Sequence, residues 1–90
     1  MNNILEMLKV DLGITHSKRD AYFNDLIKTS IKELELKGIK IDDTKVEDQM
    51  LVSDYSAWVY RKRQEDIPLS MNLTQRIRNR IVKGRAEKND

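Results

Sequence analysis

Few side chains in this sequence could carry acid–base or metal chemistry. His16 is the single histidine, and the 90 residues include no cysteine. A lone histidine in a loop, without an arranged carboxylate pair, is more typical of a surface residue than of a general base or metal ligand. The adjacent carboxylates Asp42 and Asp43 precede a predicted helix, where they suit the positive end of its dipole. No glycine-rich phosphate loop or metalloprotease motif occurs. We therefore expect no enzyme activity, metal site or cofactor.

Three aromatic residues, Tyr55, Trp58 and Tyr60, lie close together in one predicted helix. Such a group could form a base-stacking platform for single-stranded nucleic acid. Their spacing places them on different sides of a largely apolar helix, so core packing is the favoured interpretation for Tyr55 and Trp58. Tyr60 remains a candidate interface residue.

Charge is distributed unevenly along the chain. Residues 1–60 carry 8 Lys/Arg and 11 Asp/Glu, whereas residues 61–90 carry 9 and 4, within a net charge of +2. Arg61 and Arg63 close a predicted helix, where cations suit the negative end of the dipole. An acidic body with a basic last third favours directional assembly or contact with an acidic partner.

The last predicted helix carries most of the remaining arginines. At 100° per residue, Arg76, Arg80 and Lys83 fall on one flank of an apolar stripe, and Arg78 falls on another sector. Arginine is favoured for bidentate pairing and at protein interfaces, although a solvated charged face is the alternative. The candidate partner or oligomer interface comprises seven residues: Tyr60, Arg61, Arg63, Arg76, Arg78, Arg80 and Lys83.

Length and composition indicate a single domain over residues 1–90. Hydrophobic residues make up 39% and charged residues 36%, which is apolar-poor for a self-sufficient monomer and suggests that neighbouring subunits add stability. The longest apolar runs are a few residues, such as 50–52, so we expect neither a signal peptide nor a membrane span.

Apolar periodicity predicts two helices in the first part of the chain. The first covers residues 4–12 and stops at Gly13. The second begins with a capping box between Ser17 and Asp20, and Gly38 supplies its left-handed C-terminal cap.

A third helix is predicted after an ordered loop at residues 39–43. Thr44 and Glu47 match a second capping box, and the helix should continue to about residue 62. It is apolar over most of its circumference, so it is either the central helix of the bundle or is partly covered by another chain.

A fourth helix is predicted for residues 70–83, after a break at Pro68. Gly84 is its predicted stop, and residues 84–90 are expected to form a frayed polar tail. The sequence thus predicts an all-α fold, a small four-helix bundle with a short N-terminal helix.

Several segments, taken in order, carry a resemblance to a known family. They are Leu12-Gly13-Ile14-Thr15, Lys37-Gly38-Ile39, Tyr60-Arg61-Lys62-Arg63, and the Pro68 loop followed by Arg76-Ile77-Arg78-Asn79-Arg80. Together with the helix order, they resemble the small head–tail connector (adaptor, or DNA-packaging) proteins of tailed bacteriophages and prophages. The similarity covers the chain from about Ile4 to Lys83. Ser30 and Ile67 depart from the usual pattern, which has a small apolar residue and a methionine there.

The resemblance implies a structural role at the head–tail junction of a virion. Such subunits form a ring beneath the portal, extend the DNA channel and offer a platform to the stopper or tail. The implied partners are the portal protein, a stopper or tail-completion protein and further copies of the chain. Contact with DNA would be transient and non-specific, and assembly would take place in the bacterial cytoplasm.

A small DNA-binding regulator that uses the basic last helix is the alternative function. A helix-turn-helix needs a tight turn of three or four residues before the recognition helix, whereas the loop at 64–69 is longer and carries acids. A membrane-surface helix is disfavoured because the last helix has few large apolar residues and no aromatic.

Overall fold

The described part of the chain folds into a bundle of four helices. The computed structural model describes the backbone of residues 2–88 and the side chains of residues 3–84. The helices are α1 (Asn2–Leu12), α2 (Asp20–Leu36), α3 (Val46–Glu65) and α4 (Met71–Lys88). Within the described part of the chain there is no strand, and the predicted all-α fold class is confirmed.

The third helix is the centre of the bundle. It packs against α1, α2 and α4, and α1 also contacts α2. Leu51, Val52, Tyr55 and Ala57 of α3 are all buried, because neighbours cover the helix on several sides. Its apolar circumference is therefore explained by the chain's own helices, although Met50 is 50% exposed.

The core is built mainly by the first three helices. Residues with no accessible surface come from all three: Ile4, Leu8, Phe23, Ile27, Leu34 and Val52. Burying each such side chain stabilises the fold by roughly 1.5–3 kcal/mol. The fourth helix adds Leu73 and Ile77 and packs chiefly on α3, so the molecule is elongated, measuring 46 × 28 × 17 Å.

Glycines end the first two helices as predicted. Gly13 follows α1 with a φ of 72°, and Gly38 follows α2 with a φ of 101°. Beyond Gly38, the amide of Ile39 donates to the carbonyl of Leu34 at 3.1 Å, which satisfies one of the free carbonyls at the helix end. Residues 39–42 then form the expected loop without regular structure.

The predicted capping box at the start of α2 is wrong. The N-cap is Arg19, and no side-chain hydrogen bond caps this helix. The backbone carbonyl of Ser17 accepts from the amide of Asp20 at 3.2 Å, which forms a turn before the helix. Because the helix begins at Asp20, Ser17 lies two residues outside the capping position.

The second predicted capping box, at the start of α3, is also wrong. Lys45 is the N-cap, again without a side-chain cap, so Thr44 lies one residue too early. The Thr44 hydroxyl instead donates to Oδ1 of Asp42 at 2.6 Å, and the Thr44 amide donates to the same oxygen at 3.0 Å. This local turn competes with capping for the hydroxyl.

The connection between α3 and α4 is short and well defined. The third helix runs three residues further than predicted and closes on Asp66, which has a left-handed φ of 51°. The fourth helix begins with a capping hydrogen bond, in which Oγ of Ser70 accepts from the amide of Leu73 at 3.1 Å.

Gly84 does not stop the fourth helix, contrary to the prediction. The helix continues to Lys88. A Cβ at position 84 would lie 3.3 Å from the carbonyl oxygen of Gly38, so the absence of a side chain lets α4 pass close to the end of α2. Of the predicted frayed tail, residues 84–88 are helical, and residues 89 and 90 lie outside the described part.

Candidate interaction surfaces

Arg80 is partly buried and pairs with a buried carboxylate. Its Nη1 lies 2.5 Å from Oδ1 of Asp48, whose side chain is 2% exposed. Nη2 of Arg80 also donates to the carbonyl of Lys40 at 3.1 Å. The other oxygen of Asp48 accepts from the amide of Asp42 at 2.7 Å. Arg80 thus joins α4 to α3 and to the loop before it.

Two further arginines of the predicted interface also form ion pairs within the molecule. Arg76 approaches Asp54 of α3 at 2.6 Å, and Arg61 approaches Asp11 of α1 at 3.1 Å. Both pairs are partly exposed, with the two carboxylates 45–46% accessible. Together with Arg80, these contacts direct three of the seven predicted interface residues toward the protein's own acids.

The outer face of α4 consists of Met71, Arg78 and Val82. Lys83 lies on a different side of the helix, the flank that also carries Arg76 and Arg80. The spacing of i, i+7 and i+11 places the three outer-face residues on one stripe, opposite the buried Leu73 and Ile77. Met71 is 89% exposed and Val82 63% exposed, and Arg78 and Lys83 are also exposed. This face combines apolar and cationic side chains at the surface.

A second surface, the arginine–tyrosine cluster, consists of Arg19, Tyr22 and Arg63. The guanidinium carbon of Arg19 lies 4.8 Å from the centroid of the Tyr22 ring, and that of Arg63 lies 5.8 Å from the same centroid. Nη1 of Arg63 donates to the Tyr22 hydroxyl at 2.6 Å. Two guanidinium groups from different helix ends therefore meet on one aromatic ring.

Tyr60 packs beside this cluster. It is half-buried, its ring lies 5.6 Å from that of Phe23, and Arg19 lies 5.9 Å from its centroid. Tyr60 and Arg63 were predicted as interface residues from the sequence, whereas Arg19 and Tyr22 were not. The available signal was two basic residues at 18 and 19, followed three residues after Arg19 by the aromatic pair at 22 and 23.

The other aromatic residues of α3 are structural. Tyr55 is 4% exposed, and burial, together with the nearby Glu33 carboxylate, raises its pKa to about 12. Trp58 is half-buried, and its indole N–H donates to the carbonyl of Ile67 at 2.8 Å, which fastens the Pro68 loop to α3. These placements agree with core packing for both residues.

The residues first considered for acid–base or metal chemistry have local roles. His16 is exposed, and its Nδ1 accepts from the amide of Lys18 at 3.3 Å. The hydrogen bonds from Thr44 lower the pKa of Asp42 below its usual value. Among the described side chains, no group of three or more His, Cys, Asp or Glu residues could hold a metal ion.

An apolar groove lies between α1 and α3. It is lined by Met7, Val10 and Met50, with Glu6 and Asp54 at its edge. Val10 is 78% exposed. This groove, the outer face of α4 and the arginine–tyrosine cluster are three distinct surfaces through which the chain could contact other molecules.

Comparison with known proteins adds no relative to these observations. No helix in the described part of the chain is long and apolar enough to cross a membrane. No protein-family model, curated protein or solved structure matches this chain.

Proposed function

We propose that this protein is a structural subunit of a head–tail connector ring in a tailed bacteriophage or prophage. In this role it docks beneath the portal, extends the DNA channel and presents a platform for the stopper or tail-completion protein. It acts by binding other proteins and does not catalyse a reaction. The order of sequence features from Ile4 to Lys83 and the all-α bundle support this role.

The observation that carries the proposal is the outer face of α4. A helix face that exposes Met71 and Val82 beside Arg78 has the mixed composition of a protein interface, in which methionine and arginine are enriched. Apolar side chains grouped on one face mark an interaction site more strongly than scattered ones. The fourth helix packs chiefly on α3, so its opposite side is open to a partner.

The ion pairs of α4 favour protein contact over sequence-specific DNA binding. A recognition helix places arginine side chains on base edges in the major groove. Arg76 and Arg80 are instead turned toward Asp54 and Asp48 of α3. Releasing Arg80 would leave a buried carboxylate without its counter-charge, which is strongly unfavourable.

A charge reversal at two exposed cations of α4 tests the proposal: Arg78 on the outer face and Lys83 on the adjoining flank. The double variant Arg78→Glu/Lys83→Glu changes two exposed residues that are not in ion pairs with described side chains. We expect it to abolish the joining of tails to DNA-filled heads while the thermal unfolding followed by circular dichroism stays unchanged. The measurement is the yield of infectious particles when the variant replaces the wild-type protein.

A matched control distinguishes an effect of the α4 surface from an effect of the change in net charge. Lys28→Glu/Lys32→Glu makes the same charge change on two exposed positions of α2 and should leave particle yield unaltered. Reversal at Arg76 and Arg80 is a poorer test, because the loss of the Asp48 partner would destabilise the fold. Normal yield from the Arg78/Lys83 variant would show that α4 is not the docking surface.

A further inference from the structure

The arginine–tyrosine cluster brings together cations that the fold does not neutralise. Arg61, Arg76 and Arg80 each have a carboxylate within 4 Å, whereas Arg19 and Arg63 form no ion pair with any described side chain. Both are exposed. They come from the N-cap of α2 and the last turn of α3, so only the tertiary fold makes them neighbours.

The aromatic ring holds the two guanidinium groups in place. Stacking on Tyr22 restricts Arg19, and the hydrogen bond to the Tyr22 hydroxyl restricts Arg63. A guanidinium that is fixed on one face keeps its outward N–H groups free for a bidentate contact with an anion. The cluster is therefore pre-organised to receive negatively charged oxygens.

The nearby acids do not compete strongly for this position. Asp20, the residue after Arg19, is paired with Lys9 at 2.9 Å. Glu65 and Asp66 follow Arg63, but they make no ion pair with either arginine among the described side chains. Lys18, next to Arg19 in sequence, is also exposed, whereas the ammonium of Lys62 lies over the Trp58 ring at 4.9 Å.

We propose that the arginine–tyrosine cluster binds the phosphate groups of duplex DNA without reading its sequence. Phosphate contacts from arginine position a protein on DNA and carry no base information. Protein–DNA interfaces are polar and strongly positive, whereas protein interfaces have an apolar centre. The most exposed large apolar residues all lie elsewhere: Val10, Leu36, Val46, Met50, Met71 and Val82. This surface thus suits a phosphate backbone better than an acidic protein segment.

The inference does not rest on the connector role. It concerns a different surface from the outer face of α4, and purified protein suffices to test it. A normal particle yield from the Arg78/Lys83 variant would count against docking through α4 but not against DNA binding by the cluster. Absence of DNA binding would count against the cluster but not against docking through α4.

The test measures the binding of a fluorescently labelled duplex of mixed sequence by anisotropy, at salt concentrations between about 50 and 200 mM. Arg19→Gln/Arg63→Gln should weaken binding by about tenfold or more at the lower salt. Each phosphate contact contributes about 0.9 to the slope of log affinity against log salt, so the slope should become shallower by roughly 2. Wild-type affinity should not depend on the duplex sequence.

Two further variants make the result specific to this site. Arg78→Gln/Lys83→Gln removes the same net charge from exposed positions of α4 and should leave affinity within about threefold of wild type. Arg19→Lys/Arg63→Lys keeps the charge but loses the bidentate geometry, so it should retain most of the salt slope with intermediate affinity. Circular dichroism melting confirms that each variant is folded.

Three outcomes would overturn the proposal. One is the absence of salt-dependent duplex binding by the wild-type protein. Another is equal weakening by the two glutamine double variants, which would indicate a general effect of net charge. The third is tighter binding of a labelled glutamate-rich peptide than of the duplex, lost in Arg19→Gln/Arg63→Gln, which would assign the cluster to an acidic protein partner.

Discussion

Arg76 and Arg80 have the same side chain and both pair with α3, but the acids they meet differ in burial. Asp54 is 45% accessible, whereas Asp48 is 2% accessible and also accepts a backbone hydrogen bond. An exposed ion pair contributes little because water and salt screen it. A buried carboxylate that loses its cation keeps its desolvation penalty, so the two arginines should differ sharply in their effect on stability.

Alanine at each position tests this difference. Arg80→Ala should lower the free energy of unfolding by about 3 kcal/mol, because Asp48 is left buried without a counter-charge. Arg76→Ala should lower it by less than about 1 kcal/mol. Urea unfolding followed by the fluorescence of Trp58 gives both values. Equal losses for the two variants would contradict the role assigned to burial.

At the scale of helices, the turn between α2 and α3 depends on glycine at one position. Gly38 has a φ of 101°, a conformation that a side chain disfavours. Its carbonyl is also the group closest to Gly84 of α4. One short segment therefore ends α2, starts the loop that leads to Asp48 and borders the last helix.

Substitution of this glycine should have a measurable cost. Gly38→Ala is expected to lower the free energy of unfolding by about 1 kcal/mol, because alanine is strained at positive φ. Lys37→Ala is the control, since Lys37 is exposed and has right-handed helical angles with a φ of −79°. Chemical denaturation of both variants measures the difference, and a Gly38→Ala protein as stable as Lys37→Ala would show that the turn tolerates a side chain.

At the scale of the whole molecule, the basic last third folds back on the acidic part of the chain. Three of the four ion pairs among the described side chains join an arginine from residues 61–90 to an aspartate from residues 1–60. The uneven charge along the sequence therefore becomes an attraction within one subunit. Positive charge without an ion-pair partner among the described side chains remains exposed on the outer face of α4 and in the arginine–tyrosine cluster.

This attraction makes stability depend on salt. Raising sodium chloride from about 10 mM to 1 M shortens the screening length from about 30 Å to 3 Å, so the free energy of unfolding should fall by up to about 1 kcal/mol. The double variant Arg61→Gln/Arg76→Gln should show a smaller decrease, since it lacks two of the exposed pairs. The measurement is the urea midpoint at each salt concentration. A rise in stability with sodium chloride would mean that repulsion between like charges dominates.

Four helices, the loop at 39–43 and the glycine ends at 13 and 38 were predictable from the sequence. Helical periodicity and positive φ are properties of residues close together in the chain, so neighbouring residues determine them. The errors arose at the capping boxes and at Gly84. A cap depends on the residue at which the helix starts, and Gly84 depends on its contact with Gly38, which is distant in sequence.

The sequence by itself determined which helices form, which residues fill the core and where basic charge accumulates. Only the tertiary structure decided which arginines remain available to a partner. Arg80 and Asp48 are 32 residues apart, and Arg63 and Tyr22 are 41 apart, so no local pattern links either pair. The physical reason is that a helical projection shows on which side of the helix an arginine lies, whereas the group it contacts depends on which other helix packs there. Packing of α4 on α3 paired Arg76 and Arg80 with acids, and left Arg78 and Lys83 exposed.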